Sequence, residues 1–343
     1  MILIPIFTAI GLGLFFLIAD GMCSKDLKKS NKRLETYKHK EAEFSSGKVT
    51  YVDRGKGDDV LLSIHGLFGG YDQGFDTARP LVSSYRVIAP SRFGYLGSDM
   101  PADKAPKEQA KVFAELLDSL EVEQVYLLAA SSGGPVAIRF ALDYPERVKG
   151  LVLYSSFAPF TEKPKRYKKY IGPPAFNCSN YTMYLASLFF KPAMSMEREA
   201  IYAMLPIADR RDGIINDASV VNPDMAKNFD EYPIEEITVP VLVFQAKNDK
   251  IAKYKPMEKG VRRFPDHTFI TFDKGGHMLD ECGKQIMEEL KGFLKKIADK
   301  DAEQESAKKA GKKADKKASK EAKKKAEKKA KKEPKKESKS DEV

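Results

Sequence analysis

Short apolar runs alternate with segments of helical periodicity through the middle of the chain, from about residue 48 to residue 295. The apolar runs are Val49–Val52, Val60–Ile64, Tyr85–Ala89, Gln124–Ala130, Val148–Tyr154, Val241–Gln245 and Thr268–Phe272. Helical spacing is found over Ala105–Leu120, Gly134–Leu142 and Gly283–Lys295. Continuous apolar runs are typical of strands buried on both faces, and strands that alternate with helices form mostly parallel sheets covered by helices. The sequence therefore predicts an α/β fold.

One long stretch, residues 157–237, interrupts this alternation. It contains no run typical of a buried strand and is rich in proline, methionine and aromatic residues. The large apolar residues include Tyr181, Met183, Tyr184, Phe189, Phe190, Met194 and Met196. We expect a helical cap inserted into the sheet domain. These side chains either pack the cap onto the core or line a site for a hydrophobic substrate, and the sequence leaves both open.

A serine, Ser131, stands where a predicted strand meets a predicted helix. Such a turn lifts a hydroxyl clear of the sheet and places the following amides at a helix N-terminus, where they can stabilise an oxyanion. The turn needs small neighbours, and Ala129 and Gly133 lie two residues to either side. The same short motif is also compatible with ordinary helix capping. We predict that Ser131 is a nucleophile.

Two further strand ends carry the groups that a serine nucleophile needs. Asp249 follows the sixth apolar run, and His277 lies on a glycine-rich loop after the seventh. A serine, an acid and a histidine in this chain order predict a catalytic triad, with His277 as general base and Asp249 orienting its imidazole. Asp273 and Asp280 are the alternatives for the acid.

The other three histidines of the chain fit the role of general base less well. His39 lies in a charged stretch, His267 begins a predicted strand, and His65 belongs to a glycine-rich loop. His277 therefore remains, by elimination, the predicted base.

The loop at residues 63–70, with the sequence SIHGLFGG, follows an early buried strand. Its glycines give the backbone freedom to curl over the nucleophile and present an amide there. We therefore predict that the backbone N–H groups of Leu67 and Ser132 form an oxyanion hole.

With these motifs the chain resembles the α/β-hydrolase superfamily over about residues 47–297. The matching segments are HGLFGG at residues 65–70, PSRFGYLGSD at 90–99, AASSGG at 129–134, AKND at 246–249 and GGH at 275–277. Ala129 stands where the family usually has glycine, and Ala246-Lys247 where it often has Gly-Glu or Gly-Asp. The resemblance implies an eight-stranded, mostly parallel sheet flanked by helices, with a cap over the site. Dehalogenases and epoxide hydrolases of this fold use aspartate as nucleophile, so Ser131 argues against both.

The predicted activity is that of a capped serine hydrolase that cleaves a carboxylic ester, or a related acyl substrate, through an acyl-enzyme. We expect a small hydrophobic acyl substrate and no cofactor. We also expect no metal, since Cys23, Cys178 and Cys282 are too far apart in the sequence to form a metal-ligand motif. A carbon–carbon bond hydrolase, a lactonase and an acyltransferase would use the same triad. A membrane-tethered binding module is the non-enzymatic alternative.

The chain is almost wholly apolar from its start to Ala19. We therefore predict that residues 1–22 are a membrane anchor. Basic residues follow at Lys25, Lys28, Lys29, Lys32 and Arg33, which predicts that the catalytic domain is cytoplasmic. A cleaved signal peptide, with export of the protein, is the alternative. Residues 23–46 are predicted to be a charged linker and residues 47–300 the hydrolase domain.

Residues 301–343 form a low-complexity tail of lysine, alanine and glutamate. This tail holds 17 lysines against 10 acidic residues, so the first 300 residues carry a net charge of only +3. That near-neutral domain predicts no specific binding of nucleic acid. We expect the tail to be disordered or a fluctuating helix, which either keeps the protein soluble or attracts a weak anionic partner.

Overall fold

A computed structural model describes residues 3–330 of the chain. The surroundings of the side chains are described for residues 11–303 and for Ser306, Ala307 and Ser319. The ends of the predicted anchor and of the predicted tail, residues 1–2 and 331–343, therefore lie outside the described residues.

Eight strands of the described chain form a single sheet in the order β1-β2-β4-β3-β5-β6-β7-β8. They are β1 (Lys40–Phe44), β2 (Gly47–Arg54), β3 (Val60–Ile64), β4 (Arg86–Pro90), β5 (Val125–Ala130), β6 (Val148–Tyr154), β7 (Val241–Ala246) and β8 (His267–Phe272). The pairings of β1 with β2 and of β2 with β4 are antiparallel, and the other five are parallel. The predicted α/β-hydrolase fold with a mostly parallel eight-stranded sheet is confirmed.

The helices between and beyond the strands of the described chain are α1 (Leu3–Glu35), α2 (Tyr71–Ala78), α3 (Pro106–Ser119), α4 (Gly134–Asp143), α5 (Asn180–Ala186), α6 (Phe190–Met194), α7 (Ala200–Met204), α8 (Arg211–Asn216), α9 (Asn222–Lys227), α10 (Tyr254–Gly260) and α11 (Gly283–Ala330). The main core lies where α3 and α4 cover the central strands. Phe113 and Phe140 are fully buried there against Leu127 of β5. The apolar periodicity of both helices supplies this face.

The segment between β6 and β7, whose residues are all described, contains α5 to α9 and no strand. A π-helical turn, Asp217–Val221, joins α8 to α9. We name residues 157–237 the cap segment. Some of its buried apolar residues, among them Met183 and Phe190, form a second core together with Cys23 of α1 and with residues of the loops after β3 and β4. Several of its other buried apolar residues belong to the main core.

The stretch predicted to be a charged linker, residues 23–46, has regular structure instead. Its first part completes α1, and its last part is β1, which pairs with β2 to form the edge hairpin of the sheet. Cys23 and Leu27 lie one turn apart on α1 and pack against the apolar core of the cap segment. The cap residues that Cys23 and Leu27 contact lie more than 150 positions away in the sequence, so no local sequence pattern reveals these contacts.

Among the described residues, no helix combines the length and the apolarity required to cross a membrane. Residues 1–10 of the predicted anchor fall outside the described side chains. The anchor at residues 1–22 stays a prediction.

The last helix extends beyond its predicted end near Lys295. The described residues from Lys291 onward form a unit of their own and are helical to Ala330. Alanine, lysine and glutamate have high helix propensities, and their abundance favours the helical alternative of the prediction over the disordered one.

A buried group of three charged side chains joins α1, α2 and the cap segment. Asp72, in the first turn of α2, accepts hydrogen bonds from Arg210 at 2.8 and 3.0 Å and from Arg33 at 2.8 Å. Arg210 and Asp72 are almost completely inaccessible to solvent. Burial would raise the pKa of Asp72, but the two guanidinium groups outweigh it and hold that pKa at about 2. We name these residues the Asp72 cluster.

Replacing Asp72→Asn should lower the free energy of unfolding by about 3–5 kcal/mol, because two guanidinium groups lose the charge that compensates their burial. Urea unfolding measures this loss. Asp230→Asn is the control, since Asp230 pairs with Lys163 at the surface and should contribute less than about 1 kcal/mol. An equal loss of unfolding free energy in the two variants would contradict the stabilising role of the Asp72 charge.

The Asp72 cluster also predicts a contribution to acid unfolding. A carboxyl group with a pKa of about 2 in the folded protein and about 3.9 in the unfolded chain stabilises the fold fully above about pH 4. That contribution is lost as the pH falls from about 4 to about 2. The wild type should therefore lose more stability over this interval than Asp72→Asn, as measured by urea unfolding at each pH.

Candidate active site

Ser131 follows β5 directly and has a left-handed backbone conformation, with φ of 48°. A non-glycine residue in this region is strained by about 1–3 kcal/mol and persists only where its surroundings enforce it. Here the loop after β3 packs tightly against the turn that contains Ser131. A Cβ on Gly66 would lie 3.0 Å from Cβ of Ser131, and one on Gly133 would lie 2.6 Å from the carbonyl oxygen of His65. The serine turn and the loop after β3 therefore approach to backbone contact, as sequence analysis expected.

The three predicted triad residues come together in space. Oγ of Ser131 lies 3.0 Å from Nε2 of His277, and Nδ1 of His277 lies 2.9 Å from Oδ2 of Asp249. The side chain of Asp249 is inaccessible to solvent, and that of His277 is 9% exposed. This is the geometry in which a histidine can accept the proton of a serine hydroxyl while a carboxylate orients its ring.

Asp249 is held by its own loop. Its Oδ1 accepts the backbone N–H groups of Ile251 and Ala252 at 2.8 and 3.0 Å, and its Oδ2 accepts Nε2 of Gln245 at 3.1 Å. The two alternative acids lie elsewhere. Asp273 pairs with Lys247 at the surface, and Asp280 is exposed. The acid that the structure places against His277 is therefore Asp249.

The loop that carries His277 depends on two glycines, Gly275 and Gly276, which have φ of 124° and 59°. A Cβ on Gly276 would lie 2.1 Å from the carbonyl oxygen of Ser195, so no side chain fits there. The N–H of Gly276 donates to Oδ1 of Asn248 at 2.9 Å. Asn248 thus connects the acid loop to the histidine loop. Sequence analysis did not identify this role, although Asn248 precedes the predicted acid.

His65 has a structural position behind the site. Its Nε2 accepts the backbone N–H of Arg92 at 2.9 Å, so the proton is on Nδ1, which donates to the carbonyl oxygen of Gly66 at 2.8 Å. Burial, together with the nearby Arg92 guanidinium, lowers the pKa of His65 well below its ordinary value and keeps the ring neutral. Leu67 and Ser132, the predicted oxyanion donors, both line the cavity beside Ser131. Their role stays a prediction.

A second buried ion pair, which sequence analysis missed, links this loop to the cap segment. Both Nη atoms of Arg92 lie 2.5 Å from the carboxylate of Asp217, and the hydroxyl of Tyr95 donates to the same carboxylate at 2.6 Å. Nε of Arg92 donates to the carbonyl oxygen of His65 at 3.0 Å. The segment containing Arg92 and Tyr95 was noted only for its family resemblance, and Asp217 stands in no recognisable motif.

A cavity of about 640 Å³ opens over Ser131 and His277. The cap segment contributes a largely apolar wall of Met183, Phe189, Phe190, Met194, Met196 and Met204. Residues outside the cap segment that line the cavity include Leu67, Phe68, Ile251, Met278 and Leu279. None of the described residues that line this cavity is Lys, Arg, Asp or Glu. Five of the cap residues noted in the sequence thus line the cavity, whereas Tyr181 and Tyr184 hydrogen-bond to α1.

The sequence matches known hydrolases. A family profile described as alpha/beta hydrolase fold matches residues 59–230. A protein of Burkholderia vietnamiensis, named 2-hydroxy-6-oxononadienedioate/2-hydroxy-6-oxononatrienedioate hydrolase, is 30% identical over 253 residues, which are 67% of this chain and 84% of that protein. An uncharacterized hydrolase of Bacillus subtilis, YcgS, is 35% identical over 127 residues. That match covers 36% of this chain and 44% of YcgS, less than half of its length.

Solved structures share the fold. A thermophilic esterase from Thermogutta terrifontis superposes with a TM-score of 0.56 at 21% identity, over 75% of this chain and 99% of the esterase. A hydrolase from Pseudomonas aeruginosa superposes with a TM-score of 0.56 at 20% identity, over 76% of this chain and 98% of that protein. At these identities the superpositions are evidence for the fold alone.

Replacing Ser131→Ala should reduce the turnover of p-nitrophenyl butyrate by about 10³-fold or more, because the attacking oxygen is removed. Ser132→Ala is the matched control. It deletes the neighbouring hydroxyl, keeps the backbone N–H and should retain most of the activity. Urea unfolding of both variants checks that each is folded. Turnover by Ser131→Ala at the wild-type rate would refute the nucleophile.

Proposed function

We propose that this chain, which belongs to the α/β-hydrolase family and is a hydrolase, cleaves neutral esters of hydrophobic carboxylic acids through a triad of Ser131, His277 and Asp249. The observation that carries the proposal is the 3.0 Å contact between Oγ of Ser131 and Nε2 of His277 at the base of an uncharged, apolar cavity. A nucleophile next to its base at such a place is suited to acyl transfer.

In the first half of the proposed reaction, Oγ of Ser131 attacks the ester carbonyl carbon while Nε2 of His277 takes the hydroxyl proton. The tetrahedral oxyanion is stabilised by the backbone N–H groups of Leu67 and Ser132, and one such donor changes the rate by about 10²–10³ in comparable sites. The intermediate collapses to an acyl-serine, and His277 delivers the proton to the departing alcohol.

In the second half, His277 takes a proton from water, and the resulting hydroxide attacks the acyl-serine. The carboxylic acid leaves and Oγ of Ser131 regains its proton from His277. Throughout, Asp249 keeps Nδ1 of His277 protonated and stabilises the imidazolium form. The two N–H groups and the amide that donate to Asp249 hold it in place for this role.

The cavity lining supports a neutral substrate over a dianionic one. The Burkholderia vietnamiensis relative is named for the hydrolysis of a dioate, a compound with two carboxylates. Burying a carboxylate without a cation costs several kcal/mol. None of the described lining residues is Lys or Arg, so this cavity offers a buried carboxylate no ion-pair partner. Cleavage of a carbon–carbon bond in a neutral diketone is the second candidate. The names of the relatives favour that type of reaction, and the uncharged lining favours the neutral substrate.

A series of p-nitrophenyl esters should distinguish these substrates. From acetate to octanoate, kcat/KM should rise by up to about fourfold per added methylene, the equivalent of about 0.8 kcal/mol for each group buried. An ester whose acyl chain ends in a carboxylate should react at least about tenfold more slowly than the neutral ester of equal length. Preference for the charged ester, or turnover of a neutral diketone with no ester hydrolysis, would refute the proposed specificity.

A further inference from the structure

Residues 12–18 of α1 expose large apolar side chains on every face of the helix. Leu12, Leu14, Phe15, Phe16, Leu17 and Ile18 are each between 47% and 73% exposed. Successive residues of a helix are rotated by about 100°, so these positions surround the helix axis. A helix that contacts water on one side and protein on the other has a polar face. This segment has none.

We propose that this part of α1 and the mouth of the cavity lie in a lipid bilayer, and that the substrate is an acyl ester carried in that bilayer. A protein partner would cover one face of α1, whereas hydrocarbon chains can cover all of them at once. Lipid is therefore the occupant that this surface fits. The identity of the substrate rests on the proposed ester hydrolysis, and the docking to lipid does not.

Positively charged side chains next to the apolar segment are suited to contact the headgroups of a membrane. Lys25, Lys28 and Lys32 follow it within four turns of the same helix, and each is exposed. Lysine side chains near an apolar segment can extend their ammonium groups to phosphate oxygens at the lipid surface. A bilayer that contains anionic lipid should therefore bind the chain more strongly than a neutral one.

The second half of α1 is fixed to the cap segment, so the position of the helix determines which surface of the cap meets the lipid. The hydroxyl of Tyr184 donates to the carboxylate of Asp26 at 2.9 Å, and Oγ of Ser30 donates to the carbonyl oxygen of Leu205. At the apolar segment itself, the hydroxyl of Tyr181 donates to the backbone carbonyl oxygen of Phe16 at 3.2 Å. Both tyrosines belong to α5.

The same part of the cap forms the edge of the cavity. The helical turn that follows α5 ends at Phe189, which lines the cavity and is 66% exposed. Met278, next to His277, also lines the cavity and is 45% exposed. Exposed apolar side chains at the mouth of an apolar cavity are stabilised by contact with hydrocarbon. An acyl chain could pass from the bilayer into the cavity without crossing water.

Flotation of the full chain with vesicles tests the docking. The probes are vesicles of phosphatidylcholine with and without phosphatidylglycerol, and the variant carries Leu14→Asp together with Leu17→Asp. We expect the wild type to float with both vesicles, more strongly with the anionic ones, and the variant to lose at least about tenfold in vesicle binding. Ser83→Asp with Ala102→Asp adds the same two charges at exposed positions of the sheet domain and should bind like the wild type.

A parallel assay separates the docking from the chemistry. The double aspartate variant of α1 should hydrolyse dissolved p-nitrophenyl butyrate at the wild-type rate, and p-nitrophenyl palmitate embedded in vesicles at least about tenfold more slowly. Equal flotation of the variant and the wild type would overturn the docking, and so would a wild type that does not float. Self-association of that protein in gel filtration would then identify a second copy of the chain as the partner of α1. A wild type that floats but cleaves neither ester would leave the docking standing and overturn the ester substrate.

Discussion

The arrangement of the site depends on the contact between the serine turn after β5 and the loop after β3. Both loops leave neighbouring parallel strands at the same edge of the sheet, and only glycine at Gly66 and Gly133 lets their backbones meet. That approach enforces the left-handed conformation of Ser131, which holds its hydroxyl in reach of His277. Because β7 and β8 end at the same edge, the acid and the histidine arrive there as well.

Two buried arginine–carboxylate pairs attach the cap segment to this edge. Arg92 bonds to Asp217 and to the carbonyl oxygen of His65, while Arg210 bonds to Asp72 and to the carbonyl oxygen of Gly69 at 2.5 Å. Each arginine therefore contacts the loop that would supply an oxyanion donor. Buried ion pairs contribute little net stability against well-packed apolar residues, but they are costly to break. Here they fix one geometry between the loop and the cap.

The same cap gives the cavity its apolar character and its exposed mouth. A site lined by methionine and phenylalanine adapts to acyl chains of differing shape, because methionine is flexible and polarisable. α1 is hydrogen-bonded to α5, which precedes Phe189 of this mouth in the chain, and it reaches the Asp72 cluster through Arg33, which donates to Asp72. The proposed lipid surface, the cap and the loop beside Ser131 are thus joined by a continuous set of contacts.

The sequence by itself determined seven of the eight strands and the candidate triad. Apolar runs predict buried strands such as β3. The three polar residues stand on the turns and loops that follow strand ends, where parallel strands bring them to one edge. Only the tertiary structure decided the course of residues 23–46, the choice of Asp249 over Asp273 and Asp280, and the pairing of Arg92 with Asp217. These depend on contacts between residues far apart in the chain, 125 positions in the case of Arg92 and Asp217. A local sequence pattern indicates which face of a helix or strand is apolar, but it does not indicate which distant side chain packs against that face.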